Sequence, residues 1–170
     1  MTVIEPPFFG LAATDLAVVA IRQRLTRLFP APADMTPERW VAAFVQGIGS
    51  HAPDELPVAP EDVADVRASM SERPPWEATV DLAAIRSAGV PVLVIRGDWS
   101  SDLPAAAIGG AAFRAVADAL VSGLDADSLV APGATHQPQI QRADMVVPRV
   151  RAFLDTAEAA GGRARDRGRS

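Results

Sequence analysis

The sequence predicts an α/β fold with a short parallel sheet and a helical segment beside it. Residues 90–95, VPVLVI, form a continuous apolar run of the kind found in parallel strands that are buried on both faces. From residue 80 onward the predicted order is strand, loop, helix, strand, loop, helix, which is a βαβα unit. Residues 8–79 instead contain three helical patterns. The parallel strands should therefore bring their following loops to one edge of the sheet.

The chain begins with a predicted strand and continues into helices. TVIE at 2–5 is a β-branched run stopped by two prolines, so it is typical of a strand that ends at Glu5. Apolar residues of roughly helical period follow, with Thr14 or Asp15 as the N-cap and Pro30 as the stop. We therefore expect a helix directly after the first strand and its loop.

Two more helices are predicted before the central strand. Thr36 is the expected N-cap of the first, Pro37 occupies its first position, and Gly47 ends it. A weaker pattern at 60–72 predicts the second. Proline-rich stretches at 50–60 and 73–76 indicate the connections around it.

The second half of the chain alternates between strands and helices. After the strand that ends at Gly97, small residues indicate a loop over 103–110 and an apolar stripe predicts a helix over 111–124. SLVAP at 128–132 predicts a short strand, and a helix over 143–159 follows its loop. The glycine- and arginine-rich segment 161–170 is predicted to be a disordered tail.

Composition excludes several classes of function. The formal net charge of −5 argues against a general nucleic-acid-binding surface. The absence of cysteine excludes disulfides, thiolate metal sites and a cysteine nucleophile, and the two histidines show no metal-ligand spacing. No apolar run in the sequence is long enough to predict a membrane span. We therefore expect a cytoplasmic protein without a metal or cofactor.

A family resemblance rests on two loops and their order. A buried strand that runs into GDWSSD, an amphipathic helix, a strand, and then PGATHQPQ before a last helix resemble the C-terminal part of an α/β-hydrolase. TVIEPP resembles the strand that follows the nucleophile-bearing helix of that family. The resemblance implies a partial α/β-hydrolase fold with a core strand at 1–7, a helical cap at 8–79, a C-terminal α/β core at 80–160 and the tail.

The resemblance also implies catalytic residues. His136 stands where the family places its general base, which takes a proton from the nucleophile and is oriented by a carboxylate. Three carboxylates are candidates for that acid. Asp98 and Asp102 lie in the loop after the central strand, where many members carry it, whereas Glu5 stands at the end of the earlier strand, where others do. The sequence leaves these three alternatives open.

The nucleophile is missing from the sequence. The family carries it in a G-x-S-x-G elbow between a strand and a helix, and the nearest string here, GIGSH at 47–51, places Ser50 one residue late at a helix end. Ser100 and Ser101 are interpreted as turn residues, and His51 as a surface histidine. Aromatic residues of the cap are candidates to line a substrate pocket: Phe8, Phe9, Trp40, Phe44 and Trp76.

Two functions follow as expectations. An intact relative would hydrolyse an ester or amide bond of a small hydrophobic substrate, and this chain would be inactive until a separate polypeptide supplies the nucleophile half. Alternatively, the chain is a non-enzymatic module, from a truncated or split gene, that binds a ligand or a partner. A sheet of three strands leaves an open edge and apolar surface, so self-association or pairing with a missing N-terminal half is predicted.

Overall fold

The framework of the protein is a three-stranded parallel sheet with helices packed on both faces. The computed structural model describes residues 1–100 and 104–167. The strands are β1 (Thr2–Ile4), β2 (Leu93–Gly97) and β3 (Asp127–Ala131). The helices are α1 (Leu16–Thr26), α2 (Pro37–Gly47), α3 (Val63–Ser71), α4 (Leu82–Ser87), α5 (Pro104–Leu124), α6 (Pro138–Gln141) and α7 (Ala143–Arg167). Three short 3-10 turns lie at Phe9–Ala12, Pro60–Asp62 and Pro75–Glu77.

The strand order is β1, β2, β3, with β2 in the centre. Val3 lies opposite Val94, which in turn lies opposite Ser128, and both pairs of strands are parallel. The predicted mixed α/β class and the parallel βαβα unit are therefore confirmed. Because all three strands run the same way, the residues that follow them meet at one edge of the sheet.

The central strand is buried because each of its faces contacts a different apolar cluster. Val94 belongs to the larger cluster, which includes side chains from α1, α2 and α5. Leu93 and Ile95 belong to a smaller cluster with Val146 and Phe153 of α7. Because side chains along β2 alternate between its two faces, this one strand packs against α1, α2 and α5 on one face and against α7 on the other.

Two helices of the segment 8–79 begin at residues whose side chains cap them. The Asp15 carboxylate accepts hydrogen bonds from the N–H groups of Ala17 and Val18, at 2.8 and 3.2 Å. The Thr36 hydroxyl accepts one from the Arg39 N–H at 3.3 Å. These side chains satisfy N–H groups that have no partner within the helix. Both predicted N-caps are confirmed.

Two boundaries differ from the sequence prediction. The predicted loop over 103–110 is wrong from residue 104 onward, because α5 begins at Pro104. Alanine, the best helix former, dominates this stretch, and Gly109 and Gly110 are accommodated where the helix approaches Trp99 closely.

The last helix, α7, continues to Arg167 and so covers most of the segment predicted to be a disordered tail. Alanine and arginine make up five of the eight residues from 160 to 167 and favour that extension.

One helix among the described residues, over Ala106–Leu124, is long and apolar enough to cross a membrane by length and composition alone. The sequence analysis predicts no span because it considers only continuous apolar runs, and Arg114 and Asp118 interrupt this helix. Core helices of soluble proteins pass the same test. In this helix 39% of the apolar window is buried, and Ala112, Phe113, Val116 and Leu120 belong to the larger apolar cluster.

Candidate functional site

Glu5 is the buried carboxylate at the carboxyl edge of the sheet. It follows β1 directly and only 2% of its surface is exposed. Its Oε1 accepts hydrogen bonds from the Gly97 N–H at 2.6 Å and from the Trp99 indole N–H at 3.2 Å. Its Oε2 is buried and has no hydrogen-bond partner among the described residues. A buried carboxylate oxygen without a partner is unusual, so this oxygen is a candidate functional atom.

His136 faces the free oxygen of Glu5. The distance from His136 Nδ1 to Glu5 Oε2 is 3.9 Å, too long for a hydrogen bond and close enough for an ion pair. Within the described part of the chain, Nδ1 is also buried and lacks a hydrogen-bond partner. The His136 side chain is 28% exposed although its Nδ1 is buried, and it lines the pocket described below.

The loop that carries His136 is held by its neighbours. Thr135 donates its N–H to the Gln141 side chain at 2.8 Å, and the Arg142 guanidinium donates to the Pro132 carbonyl at 2.5 Å. The Trp99 N–H donates to the Ala134 carbonyl at 3.0 Å. These bonds connect the histidine loop both to α6 and to the loop after β2. The position of His136 is therefore fixed by backbone and side-chain contacts on both sides.

Gly97 lets the two loops approach each other. A Cβ atom at this position would overlap the backbone carbonyl oxygens of Ala134 and Thr135. The sequence predicts only that Gly97 ends the strand. Its lack of a side chain also allows the histidine loop to lie directly against the end of β2, while its N–H binds Glu5.

Asp98 makes different contacts from Glu5. Its Oδ1 accepts hydrogen bonds from the Ser100 N–H at 3.1 Å, the Ser100 hydroxyl at 2.9 Å and the Gly133 N–H at 3.0 Å. The Ser100 N–H is the main reason that the pKa of Asp98 lies below its usual value, and the Ser100 hydroxyl and Gly133 N–H lower it further. Asp98 thus ties the loop after β2 to the loop after β3. Asp102, the third candidate acid, lies outside the described residues.

A pocket of about 230 Å³ opens beside the Glu5–His136 pair. Its apolar lining combines Ile4 and Pro7 with side chains from the helical segment 8–79 and with Phe113 of α5, and its polar lining is Glu5, His136, Gln137 and Gln139. No serine, threonine, cysteine or aspartate stands among the lining residues that the structure describes. The apolar lining residues are Ile4, Pro7, Phe9, Leu25, Phe44, Ile48, Trp76 and Phe113.

The remaining predicted residues divide between the pocket and other places. Of the candidate aromatic residues, Phe9, Phe44 and Trp76 line this pocket. Trp40 instead stacks on Phe44 at 5.5 Å and donates its indole N–H to the Leu28 carbonyl. Phe8 packs partly buried against the larger apolar cluster. His51 and Ser100 are exposed, Ser50 is not a pocket residue, and Ser101 lies outside the described residues.

Trp99 and Phe113 are site residues that sequence reasoning missed. Trp99 was interpreted only as part of a turn after a strand, and Phe113 only as one residue of an apolar helical stripe. The two rings stack at 5.5 Å, and Phe113 lies 4.9 Å from the His136 ring. The sequence shows only a large aromatic residue directly after Gly-Asp at a predicted strand end and a glycine pair at 109–110, and their approach to each other is visible only in the folded chain.

Comparison with known proteins identified no family for this chain. No family model, no curated protein and no solved structure matches it.

Proposed function

We propose that this chain supplies the acid–base part of an α/β-hydrolase active site, in which His136 is the general base and Glu5 the carboxylate that orients it. The observation that carries the proposal is the pair itself. Glu5 Oε2 and His136 Nδ1 face each other at 3.9 Å, and both are buried without another partner in the described chain. They follow β1 and β3, on the two sides of the central strand. The proposal assigns the role of the acid to Glu5 and the stabilisation of the loops to Asp98.

The substrate proposed for this site is a small hydrophobic ester or amide. Aromatic and aliphatic side chains dominate the pocket next to His136, and no arginine is present in its described lining to bind an anionic group. The apolar body of the substrate would pack against Phe9, Phe44 and Trp76, which belong to the helical cap segment. A cytoplasmic location is part of the same proposal, in keeping with a chain that has no cysteine.

The nucleophile in this proposal comes from a separate polypeptide. The described pocket lining contains no hydroxyl, thiol or aspartate that could attack a carbonyl. Within the described part of the chain β1 pairs with β2 alone, so its other edge has no paired strand. A parallel strand paired to that edge would end close to the pocket and could present a nucleophile and backbone N–H groups to the substrate.

The reaction then proceeds in two steps. As the nucleophile's oxygen bonds to the acyl carbon, the far nitrogen of His136 takes its proton and then gives it to the leaving alkoxide or amine as that bond breaks. Water next attacks the acyl intermediate, and the same nitrogen moves a proton from the water back to the nucleophile. Glu5 holds the proton on Nδ1 and stabilises the imidazolium that forms in each step.

Coexpression tests this function. The chain would be produced with the polypeptide encoded immediately upstream of Met1, and labelling by a fluorophosphonate would be measured together with hydrolysis of p-nitrophenyl esters. We expect labelling on the added polypeptide and ester turnover by the complex. Glu5→Gln should lower kcat by roughly 10⁴-fold because the imidazole then favours the wrong tautomer, and His136→Ala should abolish turnover. His51→Ala is the matched control, since His51 is exposed and lies outside the pocket.

Three results would contradict the proposal. The first is ester turnover by the pure chain above the rate of its His136→Ala variant. The second is an upstream polypeptide without a strand, nucleophile and helix in that order. The third is a complex whose activity does not change in the Glu5→Gln variant.

A ligand-binding role is the second candidate, favoured by the pocket itself. The pocket is formed by this chain without any added polypeptide, and three of its rings come from the cap segment. Binding of small neutral aromatic compounds to the pure chain would be measured by saturation-transfer NMR. Binding that is retained in Glu5→Gln, together with no turnover in the coexpression experiment, would favour this role over hydrolysis.

A further inference from the structure

Trp99 is the buried side chain that contacts Glu5 from the loop after β2. The indole is 4% exposed, and its N–H donates to Glu5 Oε1 at 3.2 Å. The same oxygen accepts the Gly97 N–H at 2.6 Å. Two donors thus occupy one carboxylate oxygen. The carboxylate is fixed in an orientation that directs its second oxygen toward His136.

Both partners of the indole–carboxylate bond have an uncommon backbone conformation. Glu5 has φ of 44° and Trp99 has φ of 56°, in the left-handed region that favours glycine. For a residue as large as tryptophan this conformation is an outlier, and it persists only where surrounding contacts enforce it. The conformation places the indole against Glu5, where a helical or extended residue at 99 would direct its side chain elsewhere.

Helix α5 is shaped to receive the indole. A Cβ at Gly110 would lie 2.5 Å from the Trp99 Cβ. One at Gly109 would overlap the Ile48 carbonyl oxygen and lie 3.0 Å from the Trp99 ring. One turn further along the helix, Phe113 stacks on the indole with an interplanar angle of 11°. Phe113 also lies 4.9 Å from the His136 ring. A single aromatic stack therefore contacts both members of the Glu5–His136 pair.

We propose that Trp99 is a positioning residue for this pair. Its indole N–H, together with the Gly97 N–H, holds Oε1 of Glu5, so that Oε2 remains available to accept the Nδ1 proton of His136. Trp99 then selects the imidazole tautomer in which the far nitrogen is unprotonated and can act as a base. The catalytic consequence of this positioning by Trp99 rests on the proposed function. The effect of Trp99 on the His136 tautomer is a property of this chain alone.

The test compares Trp99→Phe with Trp40→Phe by NMR of histidine-labelled protein. Both substitutions keep an aromatic ring and remove one buried indole hydrogen bond, to Glu5 in the first case and to the Leu28 carbonyl in the second. Long-range ¹H–¹⁵N spectra report which ring nitrogen carries the proton, and the exposed His51 is the internal reference. We expect Nδ1–H for His136 in the wild type and in Trp40→Phe, and a mixture of tautomers in Trp99→Phe.

The outcomes separate positioning from general packing. An unchanged His136 spectrum in Trp99→Phe would overturn the proposal, as would the same change in Trp40→Phe. In the coexpressed complex, Trp99→Phe should lower kcat by on the order of 10- to 100-fold and leave KM nearly unchanged. An active complex that requires Glu5 and His136 but tolerates Trp99→Phe would remove the positioning role and leave the hydrolase function standing.

A second measurement covers the case in which Trp99→Phe does not fold. The wild type gives one indole N–H signal for each of its three tryptophans. In Glu5→Gln the charged acceptor becomes a neutral amide, so the Trp99 signal should shift while those of Trp40 and Trp76 stay in place. A Trp99 signal that does not respond to this substitution would overturn the proposal.

Discussion

Glu5 and Asp98 are both carboxylates that directly follow a parallel strand, yet their surroundings differ. Glu5 is buried, and its Oε1 accepts from two buried donors while Oε2 faces His136 without a hydrogen bond. Asp98 is partly exposed and accepts bonds from loop N–H groups and a serine hydroxyl. Position at a strand end is thus shared by a candidate catalytic acid and a loop-stabilising residue. The distribution of hydrogen bonds distinguishes the two.

Gly97 lies between these carboxylates, and its substitution should have the largest effect on stability. Gly97→Ala would place a methyl group against the carbonyl oxygens of Ala134 and Thr135, which belong to the backbone and cannot rotate away. We expect a loss of about 3 kcal/mol in the free energy of unfolding, measured by urea denaturation at 25 °C. The histidine loop should also move away from β2, which would change the His136 NMR signals.

Gly10→Ala is the matched control for that experiment. Gly10 is exposed, a Cβ added there would lie 3.9 Å from its nearest non-neighbouring atom, and its φ is ordinary. Its substitution should change the free energy of unfolding by less than about 0.5 kcal/mol. If Gly97→Ala and Gly10→Ala lower the free energy of unfolding equally, contact with the histidine loop is not the reason that glycine is needed at position 97.

Truncation of the two carboxylates tests the comparison directly. Glu5→Ala leaves the buried N–H groups of Gly97 and Trp99 without an acceptor, so we expect a loss of about 2 kcal/mol in the free energy of unfolding. Asp98→Ala frees N–H groups of the exposed residues Ser100 and Gly133, which water can reach, so its loss should be below about 1 kcal/mol. Urea denaturation of both variants at pH 7 measures the difference. A larger loss for Asp98→Ala would reverse the assignment of roles.

Much of the fold could be predicted from local sequence signals. Asp15 and Thr36 cap helices because their side chains accept from N–H groups two or three residues ahead, an interaction visible in any short window. The apolar run before Gly97 identified the buried strand, although the strand begins at Leu93 rather than Val90. The start of α5 was missed because the glycine pair at 109–110 is typical of a loop. Only the folded chain shows why glycine is needed there, because the helix passes close to the Ile48 carbonyl and to Trp99 at these two positions.

The candidate site could be predicted only in part. The order of elements placed Glu5, Asp98 and His136 at one edge of the sheet, but no local signal could choose between the carboxylates. That choice depends on bonds from Glu5 to residues more than ninety positions away, Gly97 and Trp99. Trp99 was missed for the same reason, because its left-handed backbone and its bond to Glu5 exist only in the folded chain.

The smallest predicted effect is the pH dependence that Asp98 contributes. Its hydrogen bonds, chiefly from the Ser100 N–H, lower its pKa below the usual 3.8, so the folded state favours the ionised form. This contribution is fully present above pH 3.8 and is lost as pH falls through the lower folded value. Asp98→Asn keeps an accepting oxygen but cannot ionise. Wild type should therefore exceed it in the free energy of unfolding by under about 1 kcal/mol at pH 7, and by less at pH about 3. Urea denaturation of both proteins at both pH values measures this change. If wild type and Asp98→Asn differ by the same free energy of unfolding at both pH values, the Asp98 charge does not strengthen the contact between the two loops.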